Sequence, residues 1–242
     1  MVPEPRYHGF LEGGGSPSTN LVDLGLPSGL LWASRNIGAR APEEVGLYFS
    51  WGNLYGHAEG SGYNFSQDEY NTTPAAAINA NLSLSQDAAR ANLGAPWRMP
   101  TAAEFQELYD NCTHVWTTLN GVDGLMFTSN VNGNTLFFPA AGFYNGTSLR
   151  YRGSSGNYWS STYGSDTNAI SMDLNSSRVD PQYSSSRRYG YSVRAVAGPA
   201  LLTRTVISPM DSNLEKDISP MDSDLEKAKS DISETMIEDE SR

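Results

Sequence analysis

The chain has 242 residues, of which 38% are hydrophobic and 18% are charged, so it is long and apolar enough to bury a core. Its single cysteine, Cys112, excludes an internal disulfide, and its formal net charge of −11 argues against nucleic acid as the main partner. We expect no membrane span, since no apolar run is long enough to cross a bilayer. Residues 1–10 also lack the charged-then-apolar pattern of a secretory signal peptide.

Composition divides the chain into three parts. Residues 1–20 are rich in proline and glycine, which is typical of an arm or linker. Residues 200–242 form an acidic tail in which Ile207–Lys216 recurs as Ile218–Lys227, and all the lysines of the chain lie there. The period of eleven residues favours an oligomeric helix, whereas the acidic composition favours disorder. Residues 21–199 are the predicted folded domain.

The first predicted elements are short strands. Leu21–Arg35 contains a turn at Pro27–Gly29 and is predicted to form a hairpin with Trp32 in the core. A short aromatic strand follows at Leu47–Trp51. Residues 52–73 are irregular and rich in Gly, Tyr and Asn, which is typical either of a functional surface loop or of a loop packed by its own aromatic side chains.

Two helices are predicted in the middle of the chain. The first covers Ser85–Asn92 and ends at Gly94. The second begins at a capping box, in which the Thr101 and Glu104 side chains each accept a hydrogen bond from the other residue's backbone amide. Four residues then follow at helical spacing: Phe105, Leu108, Tyr109 and Cys112. We therefore predict that Cys112 is a core residue on this helix and not a nucleophile.

The later part of the chain predicts strands. Leu125–Ser129 and Thr135–Phe138 flank Asn132-Gly133, a pair that suits the positive φ angles of a hairpin turn. Further on, apolar residues alternate at Ile170, Met172 and Leu174, which predicts a half-buried strand. Its outward residues would be Ser171, Asp173 and Asn175. Short antiparallel strands with two helices and long loops place the domain in the α+β class.

The stretch Gly156–Val196 has an unusual composition. Between the pair Tyr158-Trp159 and the segment Tyr191–Val196 it is a mixture of Ser, Asn, Asp, Tyr, Arg and Gly. Binding surfaces use these residues, because Tyr gives rigid contact area, Arg gives forked donors, and Ser and Asn give adaptable hydrogen bonds. Composition alone also fits a polar surface strand followed by a long loop.

Several segments of the domain carry a family resemblance when taken in order. They are VDLGLPSGLLWASRNIGA, YFSWGN, DAARANLGAPWRMPTAAEFQELYDNCTHVWT, NGNTLFFPAAGF and YWSST…GYSVRAV. Over Leu21–Gly198 the chain resembles the Fib_succ_major paralogous domain, which implies a C-type-lectin-like fold. Proteins of this kind include the variable ligand-displaying proteins of diversity-generating retroelements, on phage tails and bacterial surfaces. In those proteins, error-prone copying of adenines randomises a window near the end of the domain.

The resemblance also implies which residues would be displayed. Such copying of Asn codons does not yield Lys or Glu, and Gly156–Val196 contains neither. The implied ligand-binding residues are Tyr163, Asp166, Ser171, Asp173, Arg178, Asp180, Tyr183, Ser184, Ser185, Ser186, Arg188 and Tyr189. The implied framework residues are Tyr158, Trp159, Val193 and Val196.

We expect no metal, no cofactor and no catalytic residue. Calcium needs converging oxygen ligands, and the aspartates of the stretch are evenly spaced: Asp166, Asp173 and Asp180. Copper oxidases that make formylglycine share the lectin-like fold, but they use paired cysteines, which a single cysteine cannot supply. No nucleophile motif stands beside any histidine: His8, His57 and His114.

The sequence thus predicts a non-enzymatic protein that binds a protein or glycan receptor. Its expected place is a phage tail or a bacterial cell surface, and its tail is expected to allow homo-oligomers. One alternative is a carbohydrate-binding or adhesin module without diversification. Another is a structural assembly protein that docks through its acidic tail, and an enzyme is the third.

Overall fold

The computed structural model describes residues 21–67 and 78–198. Strands make up 42% of the structure and helices 13%, and the strands form several sheets. The predicted α+β, C-type-lectin-like class is therefore wrong, because the protein is mostly β. The structure has more strand than expected because one Thr-rich segment, Cys112–Leu119, and one Ser-rich segment, Val179–Ser186, form strands. Neither segment alternates apolar and polar residues, and each becomes a strand by pairing with its neighbour. The predicted arm 1–20 and tail 200–242 lie outside the described residues.

The described strands vary from two to nine residues in length. In chain order they are β1 Leu21–Asp23, β2 Leu31–Ala33, β3 Leu47–Phe49, β4 His57–Ala58, β5 Trp97–Arg98, β6 Cys112–Leu119, β7 Val122–Ser129, β8 Thr135–Pro139, β9 Phe143–Asn145, β10 Ser148–Arg150, β11 Ser155–Tyr163, β12 Asn168–Asn175, β13 Val179–Ser186, β14 Tyr191–Ser192 and β15 Val196–Ala197. The helices are α1 Ala88–Leu93 and α2 Ala102–Asn111, and 3-10 turns lie at Phe65–Gln67 and Leu84–Gln86. No described helix is long and apolar enough to cross a membrane.

Four sheets contain these strands. The largest has the order β13-β12-β11-β14-β3-β4, and a four-stranded sheet has the order β1-β2-β15-β5. A three-stranded sheet, β6-β7-β8, and the hairpin β9-β10 complete the set. All pairs are antiparallel except β11 with β14. The predicted hairpin in Leu21–Arg35 is confirmed as β1 and β2, and the strand predicted at Leu47–Trp51 is confirmed as β3.

The capping box predicted for the second helix is confirmed in α2. Thr101 Oγ1 accepts from the Glu104 amide at 3.2 Å, and Glu104 Oε2 accepts from the Thr101 amide at 2.8 Å. Both oxygens of the buried Glu104 also accept from the Arg98 guanidinium, at 2.6 and 2.8 Å. The helix ends at Asn111, so Cys112 is the first residue of β6 and not part of the helix. Burial raises the pKa of the Cys112 thiol to about 11.

The first predicted helix is shorter than expected. A 3-10 turn at Leu84–Gln86 precedes α1, whose N-cap is Asp87. Asp87 Oδ1 accepts from the Arg90 amide at 2.9 Å, and its Oδ2 accepts from the Met99 amide at 2.8 Å. Gly94 ends the helix with a positive φ of 75°, as predicted.

The hairpin predicted around Asn132-Gly133 is formed by β7 and β8, but with a different turn. Of this pair only Gly133 has a positive φ, and the loop is closed by Ser129, whose Oγ accepts from the amides of Val131 and Asn132. A turn with two positive φ angles lies instead between β6 and β7. There Asn120 has a φ of 49° and Gly121 a φ of 83°.

The core confirms the predicted framework. Tyr158, Trp159, Val193 and Val196 are fully buried, and so is Trp32, whereas Trp97 is only partly buried. One core cluster surrounds α2 and includes Trp32 and Tyr158, and a second includes Trp159 and Val193. The predicted display stretch is therefore anchored in both clusters.

Candidate functional site

The stretch Gly156–Val196 folds into an antiparallel meander of three long strands. β11 pairs with β12 and β12 pairs with β13, which is the edge of the six-stranded sheet. The half-buried strand predicted around Ile170 is confirmed as β12, with Met172 and Leu174 fully buried. The chain then returns as β14 beside β11 and enters the four-stranded sheet as β15.

Two rows of neighbouring side chains cross the same side of this meander. The first row is Trp159, Ser171 and Tyr183, and the second is Asn157, Asp173 and Asp180. A register shift in the pairing of β12 with β13 separates the two rows. Such a shift bends the strand and aims neighbouring side chains in new directions. The opposite side of β11 and β12 carries Tyr158 and Met172, which pack in the core around α2.

Arg178 joins the two carboxylates of the second row. Its Nη2 lies 2.6 Å from Asp173 Oδ2, and its Nη1 lies 3.6 Å from Asp180 Oδ2. The guanidinium carbon is 5.1 Å from the centre of the Tyr183 ring. The hydrogen bond that Arg178 donates to Asp173 raises the pKa of Arg178. We call Asp173, Arg178, Asp180 and Tyr183 the meander face; all four are predicted binding residues.

Asp173 is fixed in position from below. Asn157 Nδ2 donates to Asp173 Oδ1 at 3.0 Å, and Ser155 Oγ lies 3.3 Å from the same oxygen. Asn157 is buried, and its Oδ1 has no hydrogen-bond partner among the described residues. The Asp173 carboxylate therefore has donors on both oxygens and holds Arg178 in a defined place.

Ser171 and Ser185 do not reach the surface, although both were predicted to be displayed. Their exposed fractions are 0% and 3%, and their hydroxyl oxygens lie 2.9 Å apart. The Tyr191 hydroxyl donates to Ser185 Oγ at 3.0 Å. That prediction is wrong because the Tyr191 side chain reaches from β14 to β13 and covers both serines. Burial raises the pKa of Tyr191.

An aromatic patch formed by Phe143, Tyr151 and Tyr189 lies over Tyr191. The centre of the Phe143 ring is 4.9 Å from Tyr189, 5.9 Å from Tyr151 and 5.6 Å from Tyr191, which itself stacks on Trp159 at 4.2 Å. Tyr151 is 65% exposed and has a φ of 54°, which is unusual for a large side chain. Tyr189, a predicted binding residue, is partly buried.

The meander face and the aromatic patch adjoin each other at Tyr191. The negative charge of Asp173 helps to raise the pKa of the Tyr191 hydroxyl, and so do the nearby hydroxyls of Tyr183 and Tyr189. Tyr191 therefore contacts the aromatic patch directly and lies within electrostatic range of the meander face. Rings with polar edges beside a fixed ion pair can bind a polar ligand by stacking and by charge-assisted hydrogen bonds.

Tyr163 and Asp166 form a separate cluster at the turn between β11 and β12. The Tyr163 hydroxyl donates to Asp166 Oδ1 at 2.8 Å, and this bond raises the pKa of Tyr163. The Arg187 guanidinium lies between two rings, 4.6 Å from the centre of Trp51 and 4.9 Å from that of Tyr163. It also donates to the Ile78 carbonyl at 2.8 Å, and burial lowers its pKa.

The remaining predicted binding residues do not join the meander face. Ser184 lies opposite Ile170 and Ser186 opposite Asn168, which places both on the other side of the sheet. The exposed Ser184 Oγ accepts from Asn168 Nδ2 at 3.1 Å. Arg188 is exposed in the turn after β13. The structure thus brings four of the predicted residues together and leaves these three outside.

Four residues of the site were missed in the sequence: Phe143, Tyr151, Asn157 and Arg187. Phe143 and Tyr151 precede the stretch Gly156–Val196, in which the family resemblance places the displayed residues. Arg187 and Arg188 are consecutive residues beyond the end of β13, so strand alternation cannot tell which of them is buried. Asn157 looks like any polar strand residue until its pairing with Asp173 is known.

The described residues contain no group of three or more His, Cys, Asp and Glu side chains that could hold a metal ion. Asp173 and Asp180 come together, but the Arg178 guanidinium already bridges them. Asp166 belongs to the Tyr163 cluster. The aspartates of the stretch therefore act as partners of arginine and tyrosine.

A family model described as a domain of unknown function (DUF8237) matches residues 116–196. The matched region begins within β6 and ends at the first residue of β15, so it includes the whole meander. No curated protein and no solved structure matches the chain significantly.

Proposed function

We propose that the protein is a non-enzymatic binding protein that contacts a protein or glycan receptor through the meander face and the aromatic patch. The observation that carries this proposal is that the exposed side chains of the site lie on a tightly packed, buried layer. Exposed Tyr and Arg side chains lie above Trp159, Tyr191 and the two buried serines, which are closely packed and hydrogen-bonded. A ligand would meet a surface whose shape the core already fixes.

The residue types of this surface suit receptor binding. Tyr151 and Tyr183 are 65% and 40% exposed and offer rigid contact area with few rotatable bonds. Arg178 is half-exposed and has donors beyond those used by its aspartates. Tyrosine and arginine are the anchors that most often dominate interface energy. Loss of any of these three side chains is therefore expected to weaken binding.

The test is a set of alanine variants at Tyr151, Arg178 and Tyr183, measured for binding to a glycan array and to bacterial cells. We expect each variant to lose binding by about tenfold or more, since anchor residues contribute about 2 kcal/mol or more. Folding should change little, because exposed substitutions shift stability by about 0.5 kcal/mol or less. Tyr55→Ala is the matched control, because Tyr55 is 55% exposed and lies outside the meander.

The opposite result would assign the meander a structural role. If the Tyr183→Ala variant has a much lower melting temperature and binds as the unchanged protein does, the proposal fails. Equal loss of binding in the Tyr55→Ala variant would also contradict it, since the effect would then not depend on the meander face.

The proposed place of action is a phage tail or a bacterial cell surface, with the meander as a diversified region. The absence of Lys and Glu from Gly156–Val196 supports this proposal. The neighbouring DNA tests it: a near-identical, adenine-rich copy of this stretch beside a reverse transcriptase gene is expected. Without that copy, an adhesin with a fixed surface is the better interpretation.

A further inference from the structure

One edge of β6 has no strand beside it in the described part of the chain, where the sheet order is β6-β7-β8. Leu119 and Val122 flank the two-residue turn Asn120-Gly121, and residues in that position exchange backbone hydrogen bonds. Along an antiparallel ladder, pairs that exchange hydrogen bonds alternate with pairs that do not, so the odd-numbered residues of β6 are bonded to β7. The hydrogen bond from the Asn130 amide to the Asn111 carbonyl, one pair beyond the end of the ladder, fits this alternation. The backbone groups of the even-numbered residues of β6 therefore point away from β7. They are Cys112, His114, Trp116 and Thr118.

β6 also lacks the devices that protect sheet edges. It has eight residues, pairs with β7 without a register shift, and contains no Asp, Glu, Lys, Arg or Pro. Threonine and valine, which favour strands, make up half of it. Its Val115 side chain is 64% exposed. A long, regular and uncharged edge of this kind is ready to pair with another strand.

The other described edges are protected. β13 carries Asp180 and Pro181, and its pairing contains a register shift. β8 ends at Pro139, and its Phe137 carbonyl already accepts from Arg194 at 2.9 Å. The remaining edge strands are only two or three residues long: β1, β4, β5, β9 and β10. β6 is thus the exception within the described residues.

We propose that β6 pairs antiparallel with β6 of a second copy of this chain, about a two-fold axis at Val115. The alternation requires an axis at a residue and not between two residues, because the outward backbone groups of even-numbered residues must bond to each other, and Val115 is the exposed residue near the middle of the strand. His114 then lies opposite Trp116 of the partner subunit, and Cys112 lies opposite Thr118 of the partner subunit. The two three-stranded sheets become one sheet of six strands.

The strand suits a copy of itself as its partner. In a two-fold pair each charged residue near the axis would approach its own copy, and β6 has no Asp, Glu, Lys or Arg that would cause such repulsion. The exposed Val115 meets the partner's Val115, and Thr113 meets the partner's Thr117. Pairs of β-branched residues across strands stabilise a sheet. A symmetric interface of this kind closes at two copies.

Pairing through β6 uses no residue of the meander face or of the aromatic patch, because those residues lie outside β6. A dimer would present two meander faces. Linked binding sites raise the apparent affinity for a receptor that occurs in many copies. The dimer itself does not depend on the proposed function.

The test is sedimentation equilibrium of the full chain and of two valine variants. We expect the unchanged protein to form dimers and Val115→Lys to raise the dimer dissociation constant about tenfold or more, because two like charges would meet at the axis. Val131→Lys is the matched control: Val131 is 70% exposed in the loop between β7 and β8 and should leave dimerisation unchanged.

A mixture of variants tests the register. Val115→Lys and Val115→Glu should each be mainly monomeric, and their mixture should form heterodimers because opposite charges then meet at the axis. A protein that is monomeric at every soluble concentration would overturn the proposal, since another segment of the chain would then cover β6. A dimer that Val115→Lys leaves intact would overturn it too, because association would occur elsewhere, for example through the acidic tail.

Discussion

Arg194 is fully buried, and its hydrogen-bond partners in the described residues are amide and carbonyl oxygens. It donates to Asn36 Oδ1 and to the Phe137 carbonyl, both at 2.9 Å, and to the Ala33 carbonyl at 3.3 Å. Its guanidinium lies 4.5 Å from the centre of the Phe138 ring. Burial lowers the pKa of Arg194 to about 10, which leaves it charged at neutral pH. This residue joins β2 and β8 to the segment after β14.

We expect Arg194→Met to lower the free energy of unfolding by roughly 2–5 kcal/mol, because Asn36 and Phe137 would keep buried oxygens without donors. Urea denaturation measures the change. Arg188→Met is the control, since Arg188 is exposed and its loss should change stability by about 0.5 kcal/mol or less. Equal unfolding midpoints for the two variants would contradict this role of Arg194.

Ser171 shows what alternation along one strand cannot predict. The sequence places Ile170, Met172 and Leu174 on the inward side of β12, and by alternation it places Ser171 outward. Met172 and Leu174 are indeed buried, but Ser171 is buried as well. The reason is that the side chain of Tyr191, which lies two strands away from β12 in the sheet, covers the second side of β12. A contact of this kind depends on tertiary packing and leaves no local pattern.

The turn between β6 and β7 is the clearest case of backbone geometry determined by two residues. Asn120 and Gly121 both have positive φ angles, which match the twist of a two-residue hairpin. Gly121→Ala is expected to cost about 1–2 kcal/mol, because a side chain is strained at a φ of 83°. Asn120→Gly, the control, should change stability by only a few tenths of that value. Urea unfolding of both variants checks this prediction, and similar losses would contradict it.

Elements encoded by nearby residues could be predicted from the sequence, and elements that depend on distant partners could not. The capping box of Thr101 and Glu104 predicts the start of α2, and the turn at Pro27–Gly29 predicts the first hairpin. β13 contains Pro181 and a run of serines, so only its pairing with β12 makes it a strand. β6 was missed because Cys112 continues the helical spacing of α2. These two omissions caused the error in fold class.

Proton binding by buried groups predicts how the whole molecule responds to alkaline pH. Burial raises the pKa of Tyr48, Tyr158 and Tyr191, that of Tyr158 to about 12. The pKa of tyrosine in an unfolded chain is about 10, so above that pH the unfolded state loses protons that the folded state keeps. Folding stability then falls as pH rises.

Arg194 acts in the opposite direction. Burial lowers its pKa from the usual range of arginine to about 10, so above about pH 10 the folded state loses a proton that the unfolded state keeps, and stability rises with pH. Three tyrosines outweigh one arginine, and Cys112, whose pKa is also raised, adds to them. We expect the urea midpoint to fall between about pH 9 and about pH 11. Tyr158→Phe should reduce this loss, and a midpoint that rises with pH would contradict the prediction.

The contacts of Arg187 have a consequence for the rate at which a receptor would associate with the protein. Arg187 donates to the carbonyls of Ser165 and Asn168 and thereby fixes the turn between β11 and β12 before any ligand arrives. Ordering one flexible side chain on binding costs about 0.5–1.5 kcal/mol, and here much of that entropy is already lost during folding. Under the proposed function, a receptor on the meander face that also reaches Tyr163 would meet a turn that need not rearrange. Their complexes should therefore share similar association rates and differ mainly in how long they last.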